Sequence, residues 1–248
     1  MTSPLTADRV APLLRSSFGR TYRHCESCTS TQDQLLAGDP EGTIAVCEEQ
    51  SAGRGRRGRL WQSPPGRALL VSVLLRPPQS RAAAELTLVA GAVTAVLIEE
   101  AIEAPVGIKW PNDVLIEGKK VAGILAEQRD QTLVLGLGVN VNQTADELPG
   151  GARLAPTSLR VATGREWDRA ELLADLAYEL EATYLNWLED GLHAVAAALV
   201  DRDVLHGRQV RVDDVTGTAC GIDPSGALLV ETPAGTRSVV AGEVEVDW

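Results

Sequence analysis

Residues 133–142, Leu-Val-Leu-Gly-Leu-Gly-Val-Asn-Val-Asn, constrain the fold more than any other stretch of the chain. Side chains alternate across a strand. Leu133, Leu135, Leu137, Val139 and Val141 therefore form one apolar face, and Val134, Gly136, Gly138, Asn140 and Asn142 form the other. The apolar face needs a covering layer. The opposite face is cut back to backbone at two positions, which weakens a strand unless something must come close. A ligand lying across the sheet meets that condition, and so does tight packing against a helix. Residues 82–102, rich in Ala, Leu and Glu and free of proline, read as a long, largely buried helix able to do the packing.

The flanking elements place this strand in an α+β fold. Residues 42–47 and 69–75 read as strands, the second buried and stopped by Pro77-Pro78. Residues 114–116 and 120–125 flank Glu117-Gly118-Lys119, which predicts a β-hairpin. A short helix is expected near residues 9–14. A longer one starts at Asp168, a capping side chain with Glu171 three residues on, and carries Leu172, Leu176, Leu180 and Tyr184 on one face. A further helix is expected over residues 193–205. From Gly207 to Trp248 short valine-rich runs are split by turn signals such as Asp223-Pro224-Ser225-Gly226, which reads as a small all-β module.

The formal charge of −11 opposes general nucleic-acid binding, which depends on neutralising phosphates. No stretch is long and apolar enough to span a bilayer, and the start lacks a basic region followed by an apolar one, so a cytoplasmic protein is expected. Cys25 and Cys28 form a Cys-x-x-Cys beside His24, but Cys47 and Cys220 stand apart in sequence. Structural zinc sites usually pair their ligands twice. The four cysteines are therefore read as ordinary reduced thiols.

Against this acidic background Gly53-Arg54-Gly55-Arg56-Arg57-Gly58 stands out. Arginine presents a planar fork of donors to carboxylate or phosphate, and glycine permits close backbone approach. The hexad matches G-x-G-x-x-G, but it runs into Ser63-Pro64-Pro65-Gly66 rather than a helix, so a dinucleotide fingerprint is rejected. In an extended loop Arg54 and Arg56 share one side, while Arg57 and Arg59 form a second pair. Taken alone, the hexad also fits a solvated basic loop. In the hairpin, Asp113 and Lys120 fall on one face roughly 7 Å apart, two positions along a ladder. They read either as a charge-handling pair or as a surface ion pair.

Ser30-Thr31, Gln50-x-Ala52-Gly53 through Gly58, Trp61, Lys109-Trp110-Pro111-Asn112-Asp113, Lys120 through Leu125 and Gly136-x-Gly138-x-Asn140 together resemble biotin–protein ligase. The resemblance runs from about Ser30 to Val246. It implies a class II aminoacyl-tRNA-synthetase/biotin-ligase-like catalytic domain over residues 21–205. A short segment (1–20) precedes it, and a small C-terminal SH3-like β-barrel (206–248) follows. It implies that biotin attacks the α-phosphate of ATP to give biotinyl-5′-AMP and pyrophosphate, and that a lysine of a biotin carboxyl carrier protein then takes the biotinyl group. By motif position, Arg54, Lys120 and Asp113 are implied in catalysis. Ser30, Thr31, Gln32, Gln50, Arg54, Gly55, Arg56 and Lys120 are implied in biotin binding. Arg56, Arg57, Trp61, Asn112 and Asn140 are implied in ATP or adenylate binding, with Mg2+ near Asn140 and no metal fixed by the protein. Two departures stand out: Gln32 occupies a position usually held by Asn, and Leu60 a position often basic. Some relatives carry an N-terminal winged-helix domain. Here the pattern begins near Thr21, so a ligase without DNA binding is expected, and a homodimer is compatible with the resemblance. A lipoyl or octanoyl transferase, a noncatalytic biotin-binding module and a nucleic-acid-binding protein are the competing readings.

Overall fold

The computed structural model describes residues 3–151 and 153–246. The expected end of the β module at Trp248 lies outside the described residues. The chain opens with α1 (Ala7–Val10), a 3-10 turn and β1 (Tyr22–Cys28), followed by β2 (Ile44–Gln50). The arginine-rich hexad lies in a small hairpin of β3 (Gly53–Arg54) and β4 (Leu60–Trp61). Next come β5 (Ala68–Leu75), α2 (Ala83–Ile102), β6 (Val106–Lys109), β7 (Asp113–Ile116), β8 (Lys119–Arg129) and β9 (Thr132–Asn140). After α3 (Leu159–Thr163), α4 (Arg169–Asp190) and α5 (Ala196–Arg202), the chain ends in β10 (Gln209–Val212), β11 (Val215–Ile222), β12 (Leu228–Thr232), β13 (Gly235–Val239) and β14 (Val244–Val246).

Seven strands form the main sheet in the order β1-β2-β5-β9-β8-β7-β6. The pairs are antiparallel except β1 with β2. All eight residues of β5 are buried, because it lies between β2 and β9. The glycine-bearing strand β9 lies at the centre. Its apolar face, Leu133 through Val141, joins the core built by α2 and α4. That placement decides between the two readings of Gly136 and Gly138, which face away from the long helix and into a cavity.

Local chemistry explains the boundaries. Helix α2 stops at Glu103, which takes a left-handed conformation with φ 54° two residues before Pro105. Glu117 and Gly118, both at positive φ, make the two-residue turn that hairpins of this hand favour. Asp168 caps α4 by accepting from the Ala170 amide. The expected partner for that cap, Glu171, lies in the first helical turn.

Arg169, the first residue of α4, is 1% exposed. Its guanidinium donates to the carbonyls of Ala68 and Ser3 (3.0 Å each) and to Glu48 (2.7 Å). Glu48 also accepts from the Leu5 amide (2.6 Å) and contacts His24 Nε2 (3.0 Å). Burial pushes the Glu48 carboxyl up, but Leu5, Arg169 and His24 together hold it below the usual carboxylate range.

The reading of all four cysteines as free thiols is corrected. Cys28 and Cys47 form a disulfide with their Cα atoms 6.4 Å apart, leaving Cys25 and Cys220 free. The parallel pairing of β1 with β2 carries Cys47 beside both members of the Cys-x-x-Cys, which their separation in sequence conceals.

The five C-terminal strands form an antiparallel SH3-like module in the order β13-β12-β11-β10-β14. Asp223 Oδ1 accepts from the Ser225 and Ala227 amides and sets the turn expected there. Lys109 Nζ donates to the Val244 carbonyl (2.8 Å) and Trp110 Nε1 to the Gly226 carbonyl (2.9 Å), fastening this module to β6. Among the described residues no helix is long and apolar enough to cross a membrane.

Candidate active site

A cavity of about 390 Å³ opens on the glycine face of β9, between the β3–β4 hairpin, β8 and the C-terminal module. Such a volume suits a small organic ligand. At one end the groups are neutral and polar. Ser30 and Thr31 lie in a tight turn after β1, and the Gln50 carboxamide oxygen accepts from Thr31 N (2.7 Å) and Oγ1 (3.1 Å). Thr31 Oγ1 also meets Ser72 Oγ at 2.8 Å. Ser72 is the lone polar residue of the fully buried β5, a signal that the sequence reading passed over. The Gln32 amide reaches the Leu125 carbonyl (3.3 Å), and its oxygen accepts from Arg54 (3.4 Å).

The floor explains the glycines. Gly123 and Gly138 are register partners on β8 and β9, and the Trp61 indole lies over both. A Cβ on Gly138 would stand 2.5 Å from Trp61 Cε2, and one on Gly123 would stand 3.0 Å from its Cζ3. A Cβ on Gly136 would meet the Gln32 amide nitrogen at 2.7 Å. The indole N–H is buried and has no hydrogen-bond partner among the described residues.

Among the described residues six cations line the cavity, Arg54, Arg56, Arg59, Lys109, Lys120 and Arg153. Lys120 Nζ lies 2.5 Å from Asp113 Oδ1 and 5.6 Å from the Trp61 ring centre. The hairpin parity therefore places the pair on one face, as expected. Arg54 pairs with Asp33 and with Glu127 (3.0 Å), both of which also face Arg129. Burial opposes the Arg54 charge, but these carboxylates outweigh it and raise its pKa. Arg56 donates to Asn112 Oδ1 (3.4 Å) and the Gly242 carbonyl (3.2 Å). Burial and the neighbouring Arg57 press its pKa down.

The hexad is not extended. A 3-10 turn at Arg56–Gly58, with Arg57 at φ 56°, folds it back, and β3 pairs with β4. Arg54 and Arg56 still line the cavity. Arg57 does not, because it turns outward to Asp213 of the C-terminal module (3.0 Å). Arg59 joins Glu243 (2.8 Å), which also pairs with Arg153 (3.1 Å). Sequence reasoning missed this rim, because its members lie in three distant segments.

Asn140 lines the cavity with both ends of its amide engaged, Nδ2 to the Thr157 carbonyl (2.9 Å) and Oδ1 from Gln143 (2.8 Å). The carboxylates lining the cavity, Asp113 and Glu243, are each ion-paired. Among the described residues the one close group of three metal-binding side chains is Cys25, Cys28 and Cys47, which are not among the cavity-lining residues.

Comparison with known proteins points to one family. Residues 25–143 match the biotin/lipoate A/B protein ligase family, and residues 205–247 match the biotin protein ligase C-terminal domain. The chain is 37% identical to the biotin–[acetyl-CoA-carboxylase] ligase of Mycobacterium tuberculosis, covering 87% of this chain and 85% of that one. It is 35% identical to the bifunctional ligase/repressor BirA of Bacillus spizizenii, over 91% of this chain and 73% of that one. The biotin protein ligase of Aquifex aeolicus in complex with biotin and ATP superimposes with a TM-score of 0.84 at 31% identity, covering 92% of this chain and 99% of that one.

Proposed function

This chain belongs to the biotin/lipoate A/B protein ligase family and, within it, to the biotin–protein ligases, and from that premise we propose how its cavity performs the reaction. The enzyme is an ATP-dependent biotin ligase that forms biotinyl-5′-AMP and passes the biotinyl group to a lysine. The acceptor is the biotin carrier of a carboxylase.

Ser30, Thr31, Gln32 and Gln50 take the polar ring of biotin, whose buried donors and acceptor need partners. The biotin carboxylate then points toward Arg54, Arg56 and Lys120. Carboxylate and triphosphate repel each other, so adenylation requires fixed cations where charge accumulates on the α-phosphate. Lys120, partly buried and held by Asp113, stands nearest the glycine floor. The adenine stacks against Trp61, which β8 and β9 carry on Gly123 and Gly138. Asn112 steers Arg56, Asn140 shapes the phosphate end, and Arg57 acts as loop charge. Magnesium arrives with the triphosphate rather than on a protein site. The catalytic unit spans residues 21–205, and the module from 206 onward closes its rim.

The observation that carries this reading is the convergence of a neutral hydrogen-bonding end with Arg54, Arg56 and Lys120 in one glycine-floored cavity. Incubation with biotin, ATP, magnesium and a purified carrier domain is expected to give a streptavidin-reactive carrier and one pyrophosphate per transfer. Pyrophosphate release with lipoate or octanoate and none with biotin would overturn the substrate. A second expectation concerns the floor. Gly138→Ala displaces the indole and raises KM for ATP by about tenfold, the scale of one lost aromatic contact. An unchanged KM for ATP removes Trp61 from the adenine site.

A further inference from the structure

We propose that Cys25, Cys28 and Cys47 form a thiol–disulfide exchange site that couples the redox state of the protein to the biotin end of the cavity. The three sulfurs lie within 4.8 Å of one another. Cys28 and Cys47 are bonded, and Cys25 is a free, partly buried thiol whose residue is the register partner of Cys47. A third thiol at this distance is what intramolecular exchange requires.

The position of the bond gives the exchange a consequence. β1 is an edge strand of the main sheet and pairs with β2. The disulfide ties it covalently to that neighbour. Cys28 stands two residues before Ser30, and Cys47 stands three before Gln50. The segments beyond the bond remain in register, with the Ser51 amide donating to the Cys28 carbonyl (2.9 Å) and the Ala52 amide to that of Thr29 (3.0 Å). They close on the Gln50–Thr31 hydrogen bonds. One cross-link therefore lies behind both segments that form the neutral end of the cavity. The inference rests on assigning that end to biotin.

The chemistry balances. Cys47 is fully buried and Cys28 partly exposed, so an external dithiol attacks Cys28 Sγ. The Cys28–Cys47 bond breaks and Cys47 leaves as a thiolate that takes a proton. The second thiol of the reagent then displaces Cys28, so the dithiol becomes a cyclic disulfide and the protein gains two thiols. Without any reagent, the Cys25 thiolate attacks Cys47 Sγ, forming Cys25–Cys47 and releasing Cys28 as a thiolate, with no net oxidation. Burial and then Glu48 push the Cys25 thiol up, so this internal exchange quickens as pH rises.

The test uses the whole chain, oxidised with oxidised glutathione or reduced with dithiothreitol. Thiols are counted by alkylation and mass spectrometry, and the KM for biotin is read from pyrophosphate release. Two free thiols are expected in the oxidised form and four in the reduced form. Reduction should raise the KM for biotin about fivefold or more, the lower end of ordinary site-to-site coupling, and leave the KM for ATP unchanged. Cys47→Ser, which removes the sulfur common to both disulfides, should show the reduced-form KM under both conditions. Cys25→Ser should keep the redox response and lose the Cys25–Cys47 species. Four free thiols under every oxidising condition overturn the proposal. So do equal KM values in forms verified as oxidised and reduced, or a tightly held zinc ion that blocks alkylation of the reduced trio. Absence of pyrophosphate release in both forms at saturating biotin overturns the ligase reading instead.

Discussion

Replacing Lys120 by alanine lowers the rate of biotinyl-adenylate formation by about 10²- to 10³-fold, or roughly 3–4 kcal/mol of transition-state stabilisation. The measurement is single-turnover pyrophosphate release, with biotin affinity checked separately. The size follows from placement. The ammonium sits in a partly buried cavity, 2.5 Å from a carboxylate that fixes it, over a floor that carries no side chain. Its removal takes away a cation where charge develops and leaves Asp113 facing the phosphates alone. A drop of less than about threefold excludes Lys120 from the chemistry. The role of Asp113 is separable. If Asp113 acts through Lys120, the double alanine variant loses no more than Lys120→Ala alone. If it deprotonates the incoming lysine, Asp113→Ala forms the adenylate at a normal rate and fails to pass it on.

Arg169→Ala is expected to destabilise the fold by about 3–5 kcal/mol, because it leaves the buried Glu48 carboxylate without its principal cation. For a chain of this size that lowers Tm by roughly 6–20 °C. Arg169 also holds the carbonyls of Ser3 and Ala68, and Glu48 holds the Leu5 amide, so the N-terminal segment should loosen first in hydrogen exchange. Arg169→Ala with Glu48→Gln should recover part of the loss. The pH dependence has a defined sign. The folded-state pKa of Glu48 lies below its unfolded value. Its contribution is therefore complete above the ordinary carboxylate range and is lost as pH falls through the folded value. The acid limb of a stability–pH curve should shrink in the Glu48→Gln variant. A Tm within 2 °C of wild type for Arg169→Ala would contradict the account.

Much of the fold and the site could be read from particular residues. The Glu117-Gly118 turn placed Asp113 and Lys120 on one face because strand parity is local. The proline-free residues 82–102 made the long helix, and the valine-rich runs after Gly207 made the C-terminal module. Parity in β9 exposed the glycine face, but local pattern left a helix and a ligand equally able to need it. Composition and spacing misread the cysteines, since Cys47 is distant in sequence and adjacent in space. Lys109 and Trp110 belonged to a recognised motif, yet their contacts are to the backbone of the distant C-terminal module.

By itself, the sequence determined which faces strands and helices present, where turns fall, and that glycine, arginine and lysine gather in motifs of one ligase family. These properties depend on period, dihedral preference and charge, which each residue carries with it. Tertiary structure alone decided that Gly123 and Gly138 seat Trp61, that Arg57 pairs with Asp213 of the C-terminal module, that Glu243 ties two loops to the rim, and that Cys28 meets Cys47. Each of these depends on which segments lie side by side, and no local rule specifies a pairing between residues far apart in the chain.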